Sequence, residues 1–387
     1  MNDSNAPDTM GSRENAVKLL QDLIRIPSHK GESEVVLFLA QRFESLGIPY
    51  RTRKINKDGR ENIVATWGEG ERSLIFNSHM DTVSPGEPDQ WSHPPFSAEM
   101  IDGKIYGRGS ADAKGSLAAM ISAMETIVHS GSPLNGTLIL MAVGYEEESG
   151  IGTEAEVADG ILADAAIIGE PTGLQVHVAH KGVLRLAITT HGKAAHSSAP
   201  WEGTNAISKM GRVIERLDRL AESVSERQDP LLGPATLALT QIQGGIGRNI
   251  IPPDSRLVLD RRLLPEETPE TAQKEIEATL DQLQNEDPDF THTVELLSRA
   301  ESAATPVEEQ IVQVALNSRS EVLNEDSKAA GFGACCDMRF LRNQGHVPSV
   351  VLGPGSLSLA HKIDEFIPVD EYLKGVELYR RIASNWL

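Results

Sequence analysis

Apolar residues recur at helical spacing over residues 14–26 and again over 33–46, the latter with Val36, Phe38, Leu39 and Phe43, so both segments are expected to be amphipathic helices. Short apolar runs bounded by turn residues follow at 62–67 and 73–76 and predict strands. Residues 115–129 return to helical spacing, with Leu117, Met120, Ile121, Met124 and Val128 as the inner face. The runs at 137–143 and 165–168 are short and apolar throughout, the pattern of strands buried on both faces. Helices alternating with such strands predict an α/β domain, a mixed sheet covered by helices.

The pattern changes in the middle of the chain. A strand at 183–190, a helix at 205–224, strands at 235–242 and 256–263, a helix at 270–283 and a strand at 290–297 give the order β-α-β-β-α-β, the split βαβ unit of ferredoxin-like sandwiches. The α/β style then resumes, with a strand at 349–352 and a last helix near 370–384. The expected organisation is a discontinuous catalytic domain, 1–181 and 299–387, with an α+β lid domain inserted at 182–298. A length of 387 residues exceeds what one hydrophobic core usually serves, which agrees with two domains.

Composition narrows the class of partner. Lys and Arg total 36 against 56 Asp and Glu, a net charge of −20, which argues against a nucleic-acid binder and against an anionic membrane surface. No apolar stretch approaches the roughly 20 residues needed to span a bilayer. Residues 1–15 are polar, without a basic start followed by an apolar run, and read as a loose tail rather than a secretory signal. Cys335 and Cys336 are adjacent and cannot staple distant parts of the fold, so they read as packing residues in a reducing, cytoplasmic setting.

In open α/β sheets functional groups gather beyond the carboxyl ends of the strands. Here those ends carry His79 and Asp81, then Glu146, Glu147 and Glu148, then Glu170, and His361 in the loop after 349–352. Asp112 lies in the glycine-rich turn 107–115 that leads into a helix. Singly, each residue is ordinary: a carboxylate before a helix is usually a cap or a partner of the helix dipole. Their convergence on one sheet edge is what points to a metal centre.

In order and in detail these segments resemble the metallopeptidase family of acetylornithine deacetylase, succinyl-diaminopimelate desuccinylase and glutamate carboxypeptidase. The resemblance covers nearly the whole chain, through H-x-D at 79–81, G-R-G-x-x-D-x-K-G at 107–115, the glutamate pair, G-E-P-T at 169–172, and G-P-G at 353–355 followed by His361. It implies His79, Asp112 and Glu170 around one divalent ion and Asp112, Glu147 and His361 around a second, with Asp112 bridging. The family reads Asp-Glu-Glu where this chain has Tyr145, Glu146, Glu147 and Glu148. Counting forward to Gly152-Thr153, which resembles the family's G-T, makes Glu146 the general base and Glu147 the ligand, with Glu148 an exposed neighbour. Asp81 is expected to orient His79 through its other ring nitrogen.

Two cations sharing a water would lower its pKa and polarise a carbonyl, Glu146 then taking the proton and handing it to the leaving amine. Histidine and carboxylate ligands suit zinc, though cobalt or manganese fit as well. The resemblance further implies that His196 serves the active site of a neighbouring subunit, hence a homodimer formed through the lids, and that Asn249 and Arg262 contact substrate. Arg339, in the Asp337–Phe340 segment, could hold a substrate carboxylate bidentately or form a surface salt bridge. The expected reaction is hydrolysis of the amide of an N-acyl amino acid. A dipeptidase or carboxypeptidase uses the same machinery, and a non-catalytic metal-binding protein would lack a ligand or the base, which this sequence does not.

Overall fold

The computed structural model describes residues 9–56, 59–131 and 134–387. The tail expected over 1–15 lies outside the described residues as far as residue 8, and the first helix, Thr9–Arg25, starts earlier than the periodicity at 14–26 suggests. The chain divides into two compact units, residues 1–178, 305–330 and 336–387 in one and residues 179–304 and 331–335 in the other.

The sheet of the first unit runs in the order Tyr50–Lys54, Glu61–Trp67, Gly136–Val143, Arg72–His79, Ala165–Ile168, Ser349–Val351. The first two junctions are antiparallel and the last three parallel, which makes the sheet mixed. The strands at its parallel centre are buried almost end to end, as continuous apolar runs require. Their register puts His79 opposite Val143, Asn77 opposite Ile168 and Ile168 opposite Val351, so the chain leaves these strands along one edge. Tyr50–Lys54, by contrast, alternates exposed and half-buried residues and carries Arg51, Arg53 and Lys54, charges that suit an outer strand.

Helices cover the sheet. Lys114–Ser130 is buried along most of its length, with Leu117, Met120, Ile121 and Met124 in the core beside Phe76, Tyr379 and Ile382. Lys114 opens this helix fully buried, and its Nζ donates to the carbonyls of Leu23 (3.0 Å) and Ile26 (2.6 Å), closing the carbonyl end of Thr9–Arg25. Burial pushes this ammonium down to about 7. Among the described residues no helix is long and apolar enough to cross a membrane.

The second unit is a four-stranded antiparallel sheet in the order Thr236–Gly244, Asp254–Leu263, Gly182–His191, Thr291–Ala300, joined by the helices Ala206–Ser225 and Pro269–Glu286. Chain order and strand order together are those of a ferredoxin-like sandwich. Its core joins Leu184, Leu186 and Ile188 of the central strand to Met210, Val213 and Leu217 of one helix and Ile276, Leu280 and Leu283 of the other. This unit extends a few residues beyond the 182–298 read from the sequence, because the strand Thr291–Ala300 runs on and a short strand, Ala303–Ala304, follows it.

Candidate metal centre

His79 ends its strand almost fully buried. Its Nδ1 lies 2.9 Å from the carbonyl oxygen of Asp81, and its Nε2 is directed at Asp112 Oδ1, 3.2 Å away. A donor role for Nδ1 toward that carbonyl leaves Nε2 as the coordinating nitrogen. The carboxylate of Asp81, expected to meet the ring, stands 3.7 Å from Nδ1 and instead accepts the backbone N–H groups of Glu146 (3.1 Å) and Glu147 (3.1 Å). Asp81 therefore couples the loop after one strand to the loop after the next.

Asp112 is fixed by its backbone. Glu365, buried and far along the chain, accepts from Gly109 N (3.1 Å), Ala111 N (2.8 Å), Asp112 N (3.1 Å) and Arg108 Nη1 (2.6 Å). The turn needs glycine at 109, where φ is +84° and a Cβ would meet Thr82 at 2.6 Å. So held, Asp112 presents Oδ1 to His79 and Oδ2 to His361 Nε2 at 3.4 Å, and the same His361 nitrogen is 2.9 Å from Glu147 Oε2. Glu170, leaving the strand Ala165–Ile168, offers an oxygen to a group with His79 and Glu146, and a second group joins His79, Asp112 and Glu147, the donor atoms within each lying no more than 4.8 Å apart.

The charge balance of this cavity is lopsided. Burial pushes the carboxyls of Glu146 and Glu170 well above the usual range, and neighbouring carboxylates push in the same direction, Asp337 on Glu146 and Asp112 on Glu170. Glu147 is raised as well, chiefly by burial. Asp112 goes the other way: hydrogen bonds to His361 and His79 outweigh burial and hold it below its ordinary value. His361 is driven up to about 10 by Asp112 and Glu147, and His79 is raised despite its burial by Asp112 and the surrounding acids. Clustered carboxylates this close favour positive charge among them, and imidazole nitrogens with carboxylate oxygens are the donor set for divalent zinc, cobalt or manganese. Glu147 Oε1 is buried with no hydrogen-bond partner among the described residues, as an oxygen reserved for a cation would be. The residues fit such ions.

The other expected site residues have their own surroundings. Arg339 is buried, with its guanidinium over the Phe340 ring at 4.3 Å and hydrogen bonds to the carbonyls of Cys336 (2.8 Å) and Ser149 (2.9 Å). In the second unit His196 is exposed, its Nδ1 2.7 Å from Ser198 Oγ, on a two-stranded ribbon that pairs it with Ile250. Asn249 adjoins that ribbon and its carbonyl accepts from Ser197 N at 2.9 Å, so the structure brings His196 and Asn249 together. Arg262 is ion-paired to Asp260 at 2.7 Å, while its neighbour Arg261 is buried against Glu267. Sequence reasoning overlooked Glu365, which tethers the Asp112 turn, and Asp337, a buried carboxylate that accepts from Thr153 Oγ1 at 2.6 Å. Neither stands in a pattern that marks it: Glu365 is a single acid in a loop, and Asp337 drew notice only as the neighbour of Arg339.

Comparison with known proteins bears on the same segments. The family model of peptidase family M20/M25/M40 matches residues 75–385. A probable succinyl-diaminopimelate desuccinylase of Staphylococcus epidermidis is 30 % identical over 98 % of this chain and 99 % of that protein. The succinyl-diaminopimelate desuccinylase of Rhodospirillum centenum is also 30 % identical, over 96 % and 97 % of the two chains. Among solved structures, an M20 family metallo-carboxypeptidase of Sulfolobus solfataricus shares the fold with a TM-score of 0.81 at 19 % identity, covering 96 % of this chain and 99 % of that one. The match runs from the strand that delivers His79 to the final helix: this chain belongs to peptidase family M20/M25/M40 and is a metal-dependent amide hydrolase.

Proposed function

We propose that the chain removes the acyl group from an N-acylated amino acid, releasing a carboxylate and a free amine, with N-succinyl-diaminopimelate and N-acetylornithine as the model substrates. The observation that carries this reading is the meeting of His79, Asp112, Glu147 and His361, with Glu146 and Glu170 beside them, at one edge of the sheet. His79, Asp112 and Glu170 would hold one divalent ion and Asp112, Glu147 and His361 the other, zinc being the first choice. Bound there, such ions would polarise the scissile carbonyl and acidify the attacking water. Glu146 receives the proton that water gives up and passes it to the amine nitrogen as the C–N bond breaks. Asp81 keeps Glu146 and Glu147 in place through their backbone N–H groups. His196, supplied by a second copy of the chain, donates to the developing oxyanion, and Asn249 and Arg262 are assigned to the substrate's polar ends.

The desuccinylase relatives favour the deacylase reading, and the fold shared with a metallo-carboxypeptidase keeps peptide substrates as the second. The test is a screen of zinc-loaded protein against both model substrates and a dipeptide panel, products identified by mass. The expected result is chelator-sensitive release of succinate or acetate at a kcat/KM at least about tenfold above any dipeptide, the margin a site built to pair a substrate's polar groups delivers easily. Preference for dipeptides would overturn the deacylase reading in favour of the peptidase, and no turnover on any of them would overturn catalysis of this class.

Dimerisation is inferred to use the second unit. Its strand Thr236–Gly244 forms one edge of the sheet, unpaired on its outer side among the described residues, and leaves Ile242 58 % exposed, as an edge that another chain extends would. Light scattering should give a mass twice 41.9 kDa, and Ile242→Lys should shift it toward the monomer. A wild-type monomer at micromolar concentration would refute the inference.

A further inference from the structure

The loop 144–152 carries Glu146 and Glu147, and its first turn is built on an awkward residue. Tyr145 takes a φ of +68°, the left-handed region that a bulky side chain avoids, while its carbonyl accepts from Ser149 N (3.2 Å) and Gly150 N (2.8 Å). Something must keep this residue where it is. The guanidinium of Arg60 lies over the Tyr145 ring, 4.6 Å from its centroid. Arg60 is itself anchored: its Nη1 donates to Glu32 Oε1 at 2.7 Å, Glu32 is fully buried, and the other oxygen of Glu32 accepts from Glu61 N at 3.2 Å. On the outer side Nη2 reaches Glu148 at 3.7 Å.

Two residues further on, in the strand Glu61–Trp67, the buried side chain of Asn62 ties both ends of the loop. Its Oδ1 accepts from Gly144 N at 3.0 Å, and its Nδ2 donates to the carbonyl of Gly152 at 2.9 Å and to Glu156 at 2.8 Å. Asn62 thus fixes where the loop starts and stops, Asp81 fixes the amides of Glu146 and Glu147, Arg339 holds the carbonyl of Ser149, and Arg60 bears on the first turn through the Tyr145 ring.

We infer that Arg60, clamped by Glu32, is a positioning residue for Glu146 and Glu147, acting through its stacking on Tyr145. Tyr145 stands where the family reads Asp, so the device belongs to this chain's own departure from the pattern. The inference rests on the site reading given above for Glu146 and Glu147. A planar guanidinium suits the task because it stacks on the ring with one face while its edge stays paired to a carboxylate.

The experiment replaces the pair together, Glu32→Gln with Arg60→Met, so that no buried carboxylate is left without its partner. Cobalt(II) is titrated into metal-free protein and followed by its visible absorption, which reports ligand geometry without any substrate. Kinetics on whichever substrate the wild type accepts, with melting temperatures, are run alongside. One cobalt equivalent should bind about 10–100-fold more weakly, with kcat falling by a similar factor and KM within about twofold, the usual size of effects from residues behind the ligands. Arg60→Lys, which keeps the charge and loses the planar stack, should fall in between. Tyr145→Leu added to the double variant should cost little more, because both changes remove one contact. Wild-type cobalt binding and kcat in the double variant, or full additivity with Tyr145→Leu, would overturn the role of Arg60 while leaving the site reading intact. Wild-type protein that takes up no cobalt would overturn the site reading and this inference with it.

Discussion

Glu146→Ala should lower kcat by about 10²–10⁴-fold, the contribution expected of a positioned general base, while the protein still binds about two divalent ions per chain. The two readouts are needed together because the geometry allows Glu146 a second role. Its carboxylate lies in one group with His79 and Glu170, close enough to bind a cation directly. Loss of turnover with both ions retained identifies a base; loss of one ion would make Glu146 a ligand and move the base elsewhere. Burial and the adjacent Asp337 raise this carboxyl, and cationic charge in the cavity acts in the opposite sense. Retained turnover would point first to Glu148, although its side chain is 61 % exposed and turned toward Arg60. Atomic absorption on dialysed protein and initial rates on one substrate settle the matter.

How much of this was legible in the sequence depends on what fixes each residue. The central strands could be read because a sheet buried on both faces needs unbroken apolar runs, and Leu74–Phe76, Ala165–Ile168 and Val350–Leu352 supply them between turn residues. The ligand candidates could be read because parallel strands in register end at one edge, so that His79, Glu147 and Glu170 are neighbours there although scattered in sequence. The strand Tyr50–Lys54 escaped notice since its charges read as loop, whereas at the outer position they keep the sheet from pairing further. Lys114 enters the sequence reading only within the 107–115 motif, yet it is wholly buried, with two carbonyls at the end of a helix distant in sequence as its acceptors. Glu365 and Asn62 are alike in this respect. Each is a single polar residue whose partners include backbone groups of another loop, and nothing in local spacing announces a partner that tertiary packing alone brings near. The second unit was read from its order of elements; where that order does not speak, as for the role of Arg262, the observed ion pair to Asp260 adds a fact the sequence did not contain.

Asp112→Asn should have the larger structural consequence of the two substitutions. The side chain sits between two imidazoles, Oδ1 toward His79 and Oδ2 toward His361, and asparagine keeps its shape while replacing one oxygen with a donor and removing the charge. Its backbone is still held by Glu365, so the turn should survive and the loss be electrostatic. Both ions should bind poorly, leaving fewer than about one per chain, with turnover reduced by roughly 10³-fold or more because water activation goes with them. Thermal melting gives a readout free of substrate. A ligand present at about a thousand times its Kd stabilises the native state by about 4 kcal/mol, and at about 2–4 °C per kcal/mol for a domain of this order of size the wild type should melt roughly 8–16 °C higher with zinc than after chelation. The variant should show almost none of that difference. Chelated wild type, in which Glu365 still holds the backbone of the Asp112 turn, serves as the reference. A variant that zinc stabilises as much as it does the wild type would mean that Asp112 does not join the two ions, and the centre would have to be rebuilt around His79, Glu147, Glu170 and His361.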